Sequence, residues 1–530
     1  MKYPCDMMPV SAVQCAAAPA GRTTSAWILG ATILASSLTF IDGTAVNVAL
    51  PNLQATLHAS ITDVQWVVES YALFLASLLL VGGVLGDLYG RRRIFALGIF
   101  IFAAASAWCG LAANVGQLVL ARAVQGVGAA LLVPGSLAII SASFPPQERG
   151  RAIGTWSAFT GITAAIGPVL GGWLVQHLSW RWVFFINLPI AAAVLVVSFL
   201  HVPESRAETG TRQLDIPGAL LITAALGSLV FGLIEAPNFG WKHLLVWGML
   251  TASALLTAGF LVWERRRRSP LLPLQLFRSR NFTGANLLTL FLYAALGAAL
   301  FFLPFNLIQV QGYTPTQAGA ANLPFIAILF LLSRWSGELV TRYGPRLPLA
   351  FGAALAAAGF LLFALPGIGG SYWITFFPAS VVLGLGMAGV VTPLTTTVMN
   401  SVSRQQAGVA SGVNNAVSRI ASLLAIAVFG IVTLHAFAAK LNTNLAAMAL
   451  SDSAKTRIDE QEKQLTQIRI PAELDTGQRA AAQEAIDRSF VSAFREVMML
   501  SAVLAALSAL LAWRTIENKI DLKKEQPCDV

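Results

Sequence analysis

The sequence predicts an all-α, polytopic membrane protein. Hydrophobic residues make up 56% of its 530 residues and charged residues only 11%, against about 25% charged in an ordinary soluble domain. Apolar runs of about 20 residues recur along the whole chain, the length that crosses ~30 Å of hydrocarbon as a helix. No stretch alternates with period two as the strands of an outer-membrane barrel do. The formal charge of +10 sits mostly in short loops between apolar runs. It therefore reports topology, and nucleic acid is not an expected partner.

Fourteen spans follow from apolar length and the polar turns between them. Six lie at 26–49, 64–85, 94–112, 117–141, 152–176 and 182–200, and two more at 216–234 and 243–263. The last six lie at 282–308, 317–339, 347–365, 372–398, 408–434 and 491–513. The first 25 residues lack a basic region leading into a short apolar core and cleavage site, so the first span is expected to be a retained anchor. Cys5, Cys15, Cys109 and Cys528 have neither pairing nor metal-ligand spacing, so no disulfide framework and no metal site is indicated.

Residues 83–95, GVLGDLYGRRRIF, orient the whole chain. They form a Gly-bounded turn between two spans, and three arginines in so short a loop place it in the cytoplasm. An even number of spans puts both termini on that side. The loops of that side hold Arg91 to Arg93, Arg149, Arg151, Arg206, Arg212, Arg265 to Arg268, Arg278, Arg280, Arg342, Arg346 and Arg404. The short opposite loops hold little beyond Arg181 and Lys242. The expected plan is a cytoplasmic tail (1–25), a six-span bundle (26–202), two additional spans (203–263) and a basic cytoplasmic linker (264–280). A second six-span bundle (281–513) and a cytoplasmic tail (514–530) complete it.

Within the second bundle, 435–490 is extracytoplasmic, mixed in charge and broken by Pro471 and Gly477. It reads as a helical hairpin packed over the outer face. The linker arginines suit contact with anionic lipid headgroups, and topology signalling explains them equally. Gly83, Leu85, Gly90 and Arg92 recur in register as Gly337, Leu339, Gly344 and Arg346, with Thr341 in place of Asp87. Two duplicated halves with two spans inserted between them would give this spacing.

Buried charge locates the chemistry, because a charged side chain at mid-membrane costs roughly 2.5–3.5 kcal/mol even on lenient insertion scales. At 1.5 Å per residue, Asp42 lies about 10 Å inside the outer end of the first span, and Glu69 and Arg122 about 7 Å inside theirs. Opposite charges at matching depth offset each other's desolvation only if they meet in the bundle interior. Asp42, Glu69 and Arg122 thus read as a coupled acid–base cluster facing a central cavity, with a static ion pair as the plainer reading. Arg122, Gln125, Gly126 and Ala129 share one helix face. In the fifth span Gly161, Ala164, Ala165, Pro168, Gly171 and Gly172 form a small-residue stripe that permits close approach, with Pro168 supplying a bend. Asp87 either caps the helix after Gly90 or bonds to a neighbouring span in one conformation only. Arg419 lies near mid-depth of the thirteenth span with no acid at its depth in the second half. It binds substrate, pairs with Asp42 or snorkels. Asp215, Glu235, Arg334 and Glu338 lie near span ends and read as solvated or interfacial.

Several motifs occur together and in order: IDGTAVNVALP (41–51), GVLGDLYGRRRIF, RAVQGVGAA (122–130), GPVLGG (167–172) and SWRWVFFINLPI (179–190). LDIPG (214–218) and GVASGVNNAVSR (408–419) join them. As a set they resemble the major facilitator superfamily, specifically its fourteen-helix drug:proton antiporter branch. The resemblance implies the major facilitator fold, two six-helix bundles plus two inserted central helices, working by alternating access. It makes Gly83, Asp87, Gly90, Arg91 and Arg92 a cytoplasmic conformational latch. Asp42 and Arg122 become coupling or substrate-site residues, and Gly167, Pro168 and Gly171 an exporter-type bend. The role of Glu69 rests on its chemistry and depth alone.

The expectation is a proton-coupled antiporter exporting amphipathic small molecules across the cytoplasmic membrane. It needs no cofactor beyond the proton gradient and is expected to work as a monomer. The proton-coupling or substrate residues are Asp42, Glu69, Arg122, Gln125 and Arg419. A transporter of one physiological solute, such as a metabolite, lipid or siderophore, is the alternative reading. In a cell with two membranes a periplasmic adaptor could take over the substrate, though no residue signals one. His58, His177, His201, His243 and His435 lie at span ends or in loops, with no catalytic constellation beside them. No phosphate-cradling loop marks an ATP-driven pump, and a channel would need neither latch nor titrating cluster.

Overall fold

A computed structural model describes residues 22–206, 215–267, 270–402, 407–448, 450–471 and 473–518. Expectations for Cys5, Cys15, Cys528, Arg212, Arg268 and Arg404 lie outside the described residues, as do those for Gly161 and for the side chains of Arg149, Ala164, Ala165, Arg334, Glu338 and Thr341. Among the described residues there is no β-strand.

The first half comprises α1 (Arg22–Leu57), α2 (Ile61–Tyr89), α3 (Arg91–Leu111), α4 (Val115–Ser143), α5 (Pro146–His177), α6 (Trp182–Phe185) and α7 (Asn187–His201). The inserted pair is α8 (Ile216–Phe239) and α9 (Leu244–Arg266). The second half comprises α10 (Arg280–Phe305), α11 (Pro315–Ala320), α12 (Leu323–Tyr343), α13 (Arg346–Phe363), α14 (Tyr372–Asn400), α15 (Ala407–Ala446), α16 (Asp452–Asp459) and α17 (Thr476–Thr515). Among the described residues, 13 stretches are long and apolar enough to cross a membrane. With α5, itself 32 residues long, they match the fourteen expected spans one for one.

Three spans deviate from a plain rod. The sixth is interrupted at Ile186, between α6 and α7. The ninth ends in a π-turn over Asn306–Val310 just after Pro304. The tenth breaks between α11 and α12. α15 and α17 are 40 residues each, about 60 Å long, roughly twice the hydrocarbon thickness.

That length corrects the expected hairpin. Residues 435–490 consist chiefly of the protruding ends of α15 and α17, joined through α16 and a 3-10 turn over Glu462–Gln467. Asn444 ties the two protrusions together by donating to the Ser489 hydroxyl at 2.9 Å. Gly477 does not break the helix. It lies in the first turn of α17, whose start is fixed by a capping box between Asp475 and Gln478.

In the first half α4 packs on α2 and α3, and α1 on α5. In the second, α13 packs on α14 and α17, α12 on α14, and α10 on α15 and α17. α8 pairs with α9 and also leans on both α2 and α15. There Leu73, Leu226, Val230, Leu423 and Ala427 form an apolar cluster across the seam between the halves. Asp215 is a correction. It is buried at 1% exposure, caps α8 by accepting from the Gly218 N–H, and accepts the Trp263 indole N–H at 2.9 Å.

The internal echo has a structural counterpart. Gly90 (φ 111°) and Gly344 (φ 75°) each end a helix in the left-handed region that favours glycine. Each also has a side chain from the end of its own half lying against it. A Cβ would come within 2.8 Å of the Glu204 carboxyl carbon at Gly90 and of the Asn518 side-chain oxygen at Gly344.

The face where α1 begins and α17 ends is termed the termini face, and the one carrying 435–490 the loop face. The halves meet closely toward the loop face. Gly172 of α5 abuts Pro315 of α11, and Gly319 abuts the Pro168 carbonyl. Gln54 donates to the Gln464 carbonyl and Gln309 donates to Gln54, both at 3.3 Å. Beside this contact α5 and α12 border an apolar cleft of about 670 Å³ lined by Ile162, Ile166, Trp173, Leu323 and Phe330.

Candidate functional site

Glycines on α4 bring the site together. A Cβ at Gly126 would lie 2.5 Å from the Tyr71 carbonyl oxygen, and one at Gly128 2.5 Å from the Phe102 nitrogen. α2 and α3 can therefore press against α4 backbone to backbone. Arg122, one turn before Gly126, is thereby held in the bundle interior at 1% exposure.

Arg122 Nη1 lies 2.5 Å from Asp42 Oδ2 and donates to Gln125 Oε1 at 2.7 Å. Its Nε donates to the Val67 carbonyl at 3.1 Å. Gln125 Nε2 donates to Asp42 Oδ1 at 2.9 Å, and Asn187 Nδ2 donates to the same oxygen at 3.3 Å. Asn187 also donates to the Ser106 hydroxyl at 3.0 Å, which in turn donates to the Phe184 carbonyl at 2.8 Å. The Tyr71 ring covers the guanidinium at 4.2 Å and the Phe184 ring at 5.8 Å. Asp42 is thus charge-paired and receives three donors, which is what makes a buried ion pair tolerable.

The sequence placed Asp42, Glu69 and Arg122 in one cluster with Gln125 on the Arg122 face, and the structure brings Asp42, Arg122 and Gln125 together. Two features differ. The cluster does not face a cavity, because Asp42, Gln125 and Asn187 are fully buried. Glu69 does not join it: this carboxylate is fully buried and, among the described residues, neither oxygen has a hydrogen-bond partner. Asn187, Ser106 and Tyr71 were missed. Asn187 stood in plain sight as an amide within SWRWVFFINLPI, and its spacing alone gave no sign that it reaches Asp42.

Arg419 does not pair with Asp42. It is half-exposed on α15 and, among the described residues, makes no hydrogen bond or ion pair.

At the turn between α2 and α3, Asp87 does not cap α3. The helix has no side-chain cap, and Asp87 pairs with Arg91 at 3.0 Å. Glu204, missed by the sequence reading, does the joining: it accepts the Arg92 N–H at 3.1 Å and lies 3.7 Å from the Arg93 Nε. Arg91 N–H donates to the Ser205 carbonyl at 2.9 Å. The turn is thereby clamped to the segment that leaves α7. Gly83 is in ordinary contact with Pro134. α5 continues unbroken through Pro168, with Gly167 against Thr44 and Gly171 against Ala45 of α1.

Comparison with known proteins adds a consistent set of similarities. A sequence profile described as Major Facilitator Superfamily matches residues 32–426. The chain is 38% identical over 396 residues to the tetracenomycin C resistance and export protein of Streptomyces glaucescens, covering 74% of this chain and 72% of that one. It is 38% identical over 423 residues to the multidrug resistance protein Stp of Mycobacterium tuberculosis, covering 78% and 77%. Among solved structures it is similar in fold to a bacterial homologue of the human lysosomal transporter Spinster in an inward-facing, occupied conformation. The TM-score is 0.66 at 18% identity, covering 94% of this chain and 98% of that one.

Proposed function

The chain belongs to the major facilitator superfamily, and we propose that it is a proton-coupled antiporter that exports amphipathic drugs across the cytoplasmic membrane. It is a multi-pass membrane transporter, and its relatives are named for antibiotic resistance and export. The observation that carries the coupling is the buried Asp42–Arg122 pair, a carboxylate held by a guanidinium and two amides in the interior of one half.

The positive-inside bias of Arg91 to Arg93 and the other loop arginines supports a cytoplasmic termini face. The contacts between Gly172 and Pro315 and between Gly319 and Pro168 then close the outer side. On this reading a molecule would be received from the cytoplasm or the inner leaflet. The latch turn, with Gly83, Asp87, Gly90, Arg91 and Arg92, supports the rocking of the halves by holding α2 and α3 as one body on the termini face. Gly167, Pro168 and Gly171 let α5 slide on α1 during the same motion.

Protons from the outer side compete for Asp42 or Glu69. A proton on an Asp42 oxygen removes the charge that holds Arg122, which weakens the bonds among α1, α4 and α7. At Glu69, whose carboxylate has no partner, a proton removes the cost of an uncompensated buried charge. Either event changes the relative stability of the two arrangements of the halves. The protein needs no cofactor for this, only the gradient, and works as a single chain.

The test uses proteoliposomes with an imposed pH gradient, in which lumenal pH is followed as cationic, neutral and anionic amphiphiles are added. Proton movement that depends on substrate and disappears in Asp42→Asn is the expected result. Efflux that is indifferent to the gradient in the unmodified protein would reject the coupling.

A further inference from the structure

The Asp42–Arg122 pair accounts for the cation of the first half, and a second, half-exposed one lies within a span of the other half. Arg419 stands on α15 between two contacts of the α2/α15 seam, Leu80 against Gly412 toward the termini face and Gln65 against Gly430 toward the loop face. It shares a stripe with Asn415, one turn toward the termini face and exposed, and with Ile426. The Ile426 carbonyl accepts from Gln65 of the opposite half, so this stripe is turned toward the seam between the halves. The guanidinium is half-exposed there and, among the described residues, pairs with no carboxylate. Asp42 cannot serve, since Arg122, Gln125 and Asn187 occupy it.

A second group to consider is Tyr71 of α2, the helix that meets α15 across this seam. Its hydroxyl is buried and, among the described residues, has no hydrogen-bond partner, while the face of its ring is taken by Arg122. A planar guanidinium fork and one phenolic donor, both unused, match the oxygens of a carboxylate. An unpaired cation at this depth is costly, and an incoming anion would relieve it.

We propose that Arg419, assisted by the Tyr71 hydroxyl, is a subsite for the carboxylate of an acidic amphipathic substrate. This rests on the efflux reading and narrows its substrate class from amphiphiles in general to organic acids with an apolar body.

The probes are pyrenebutyrate, its methyl ester, and pyrenebutyltrimethylammonium, which share one apolar body and differ in charge. Binding is read from pyrene fluorescence with the protein in nanodiscs of zwitterionic lipid, where no anionic headgroup competes. Pyrenebutyrate should bind about tenfold more tightly than the ester, as bonds to a charged group predict. Arg419→Gln should bring that ratio to about one while leaving ester binding unchanged. Tyr71→Phe should lower carboxylate binding alone, by severalfold. Arg419→Glu should transfer the preference to the quaternary ammonium probe.

Equal binding of acid and ester by the unmodified protein overturns the subsite whether or not any variant folds. So does a preference that survives Arg419→Gln. Efflux of ester and cation with no carboxylate preference rejects the subsite and leaves the efflux function standing. Carboxylate binding without efflux of any probe does the reverse.

Discussion

Across the seam between the halves, the side-chain amide of Gln65 donates to the backbone carbonyl of Ile426 at 2.7 Å, with Gly430 directly beneath it. A Cβ at 430 would collide with that amide. The glycine is what lets α2 and α15 close on each other. Gln65→Leu removes a bond worth about 1 kcal/mol and should shift the equilibrium away from the closed loop face about fivefold. Gly430→Val should shift it further. Labelling of a cysteine placed at Ala318 by a membrane-impermeant thiol reagent from the outer side reads this directly; unchanged labelling in both variants would mean that this contact does not hold the seam.

Asp42 and Arg122 are predicted to be coupled in stability as well as in transport. Removing one partner of a buried ion pair typically costs about 3–5 kcal/mol, while replacing both costs much less. Asp42→Asn should therefore lower the thermal unfolding temperature and abolish coupled efflux. Asp42→Asn combined with Arg122→Gln should recover most of the stability and none of the coupling. Additive losses of stability in the double variant would show that the pair is not coupled as its geometry implies.

Glu204 and Asp87 should act on rate rather than on affinity. Glu204→Gln weakens the clamp on Arg92 and Arg93, and Asp87→Asn breaks the pair with Arg91. Both should slow turnover several-fold with ligand affinity within about twofold, because their turn lies about 24 Å along α2 from Tyr71. Turnover and Kd measured on the same preparation separate the two effects.

The loop-face segment should respond to acid. Burial, and then the neighbouring Asp459, push the Glu462 carboxyl above its ordinary value, with Lys463 and His435 acting in the opposite sense. A carboxyl raised in the folded state binds more protons there than in the unlocked segment, so packing strengthens as pH falls from above the raised value toward the ordinary one near 4.3. Hydrogen exchange over 460–470 should slow on acidification beyond its intrinsic pH dependence, and Glu462→Gln should remove that excess.

Much of this architecture was legible in the sequence because a bilayer fixes the length of whatever crosses it. The apolar runs had to be spans, and the arginines between them had to mark one face. The ends of α15 and α17 were not legible. Outside the membrane they are amphipathic and mixed in charge, and nothing there forbids a turn at 477 except the capping box at Asp475. The Asp42–Arg122 pair was legible because charge in hydrocarbon is costly enough to need a partner. The separation of Glu69 was not, since depth along a helix is one coordinate and the direction a side chain faces is another. Asn187 and Ser106 escaped notice because a neutral polar residue in a span is too common to signal anything until its partners are seen. Asp215 looked solvated because it begins a helix, yet Trp263 folds over it.

The apolar seal formed by Leu73, Val230 and Leu423 has a consequence for how the molecule meets its surroundings. Related halves placed side by side would offer the membrane two equivalent flanks. The inserted α8 paves one of them, whereas the flank between α5 and α12 keeps its hollow of about 670 Å³. A compound dissolved in the bilayer can therefore touch both halves at once through that hollow. Two added helices have turned a pseudo-symmetric machine into one with a wall and a doorway.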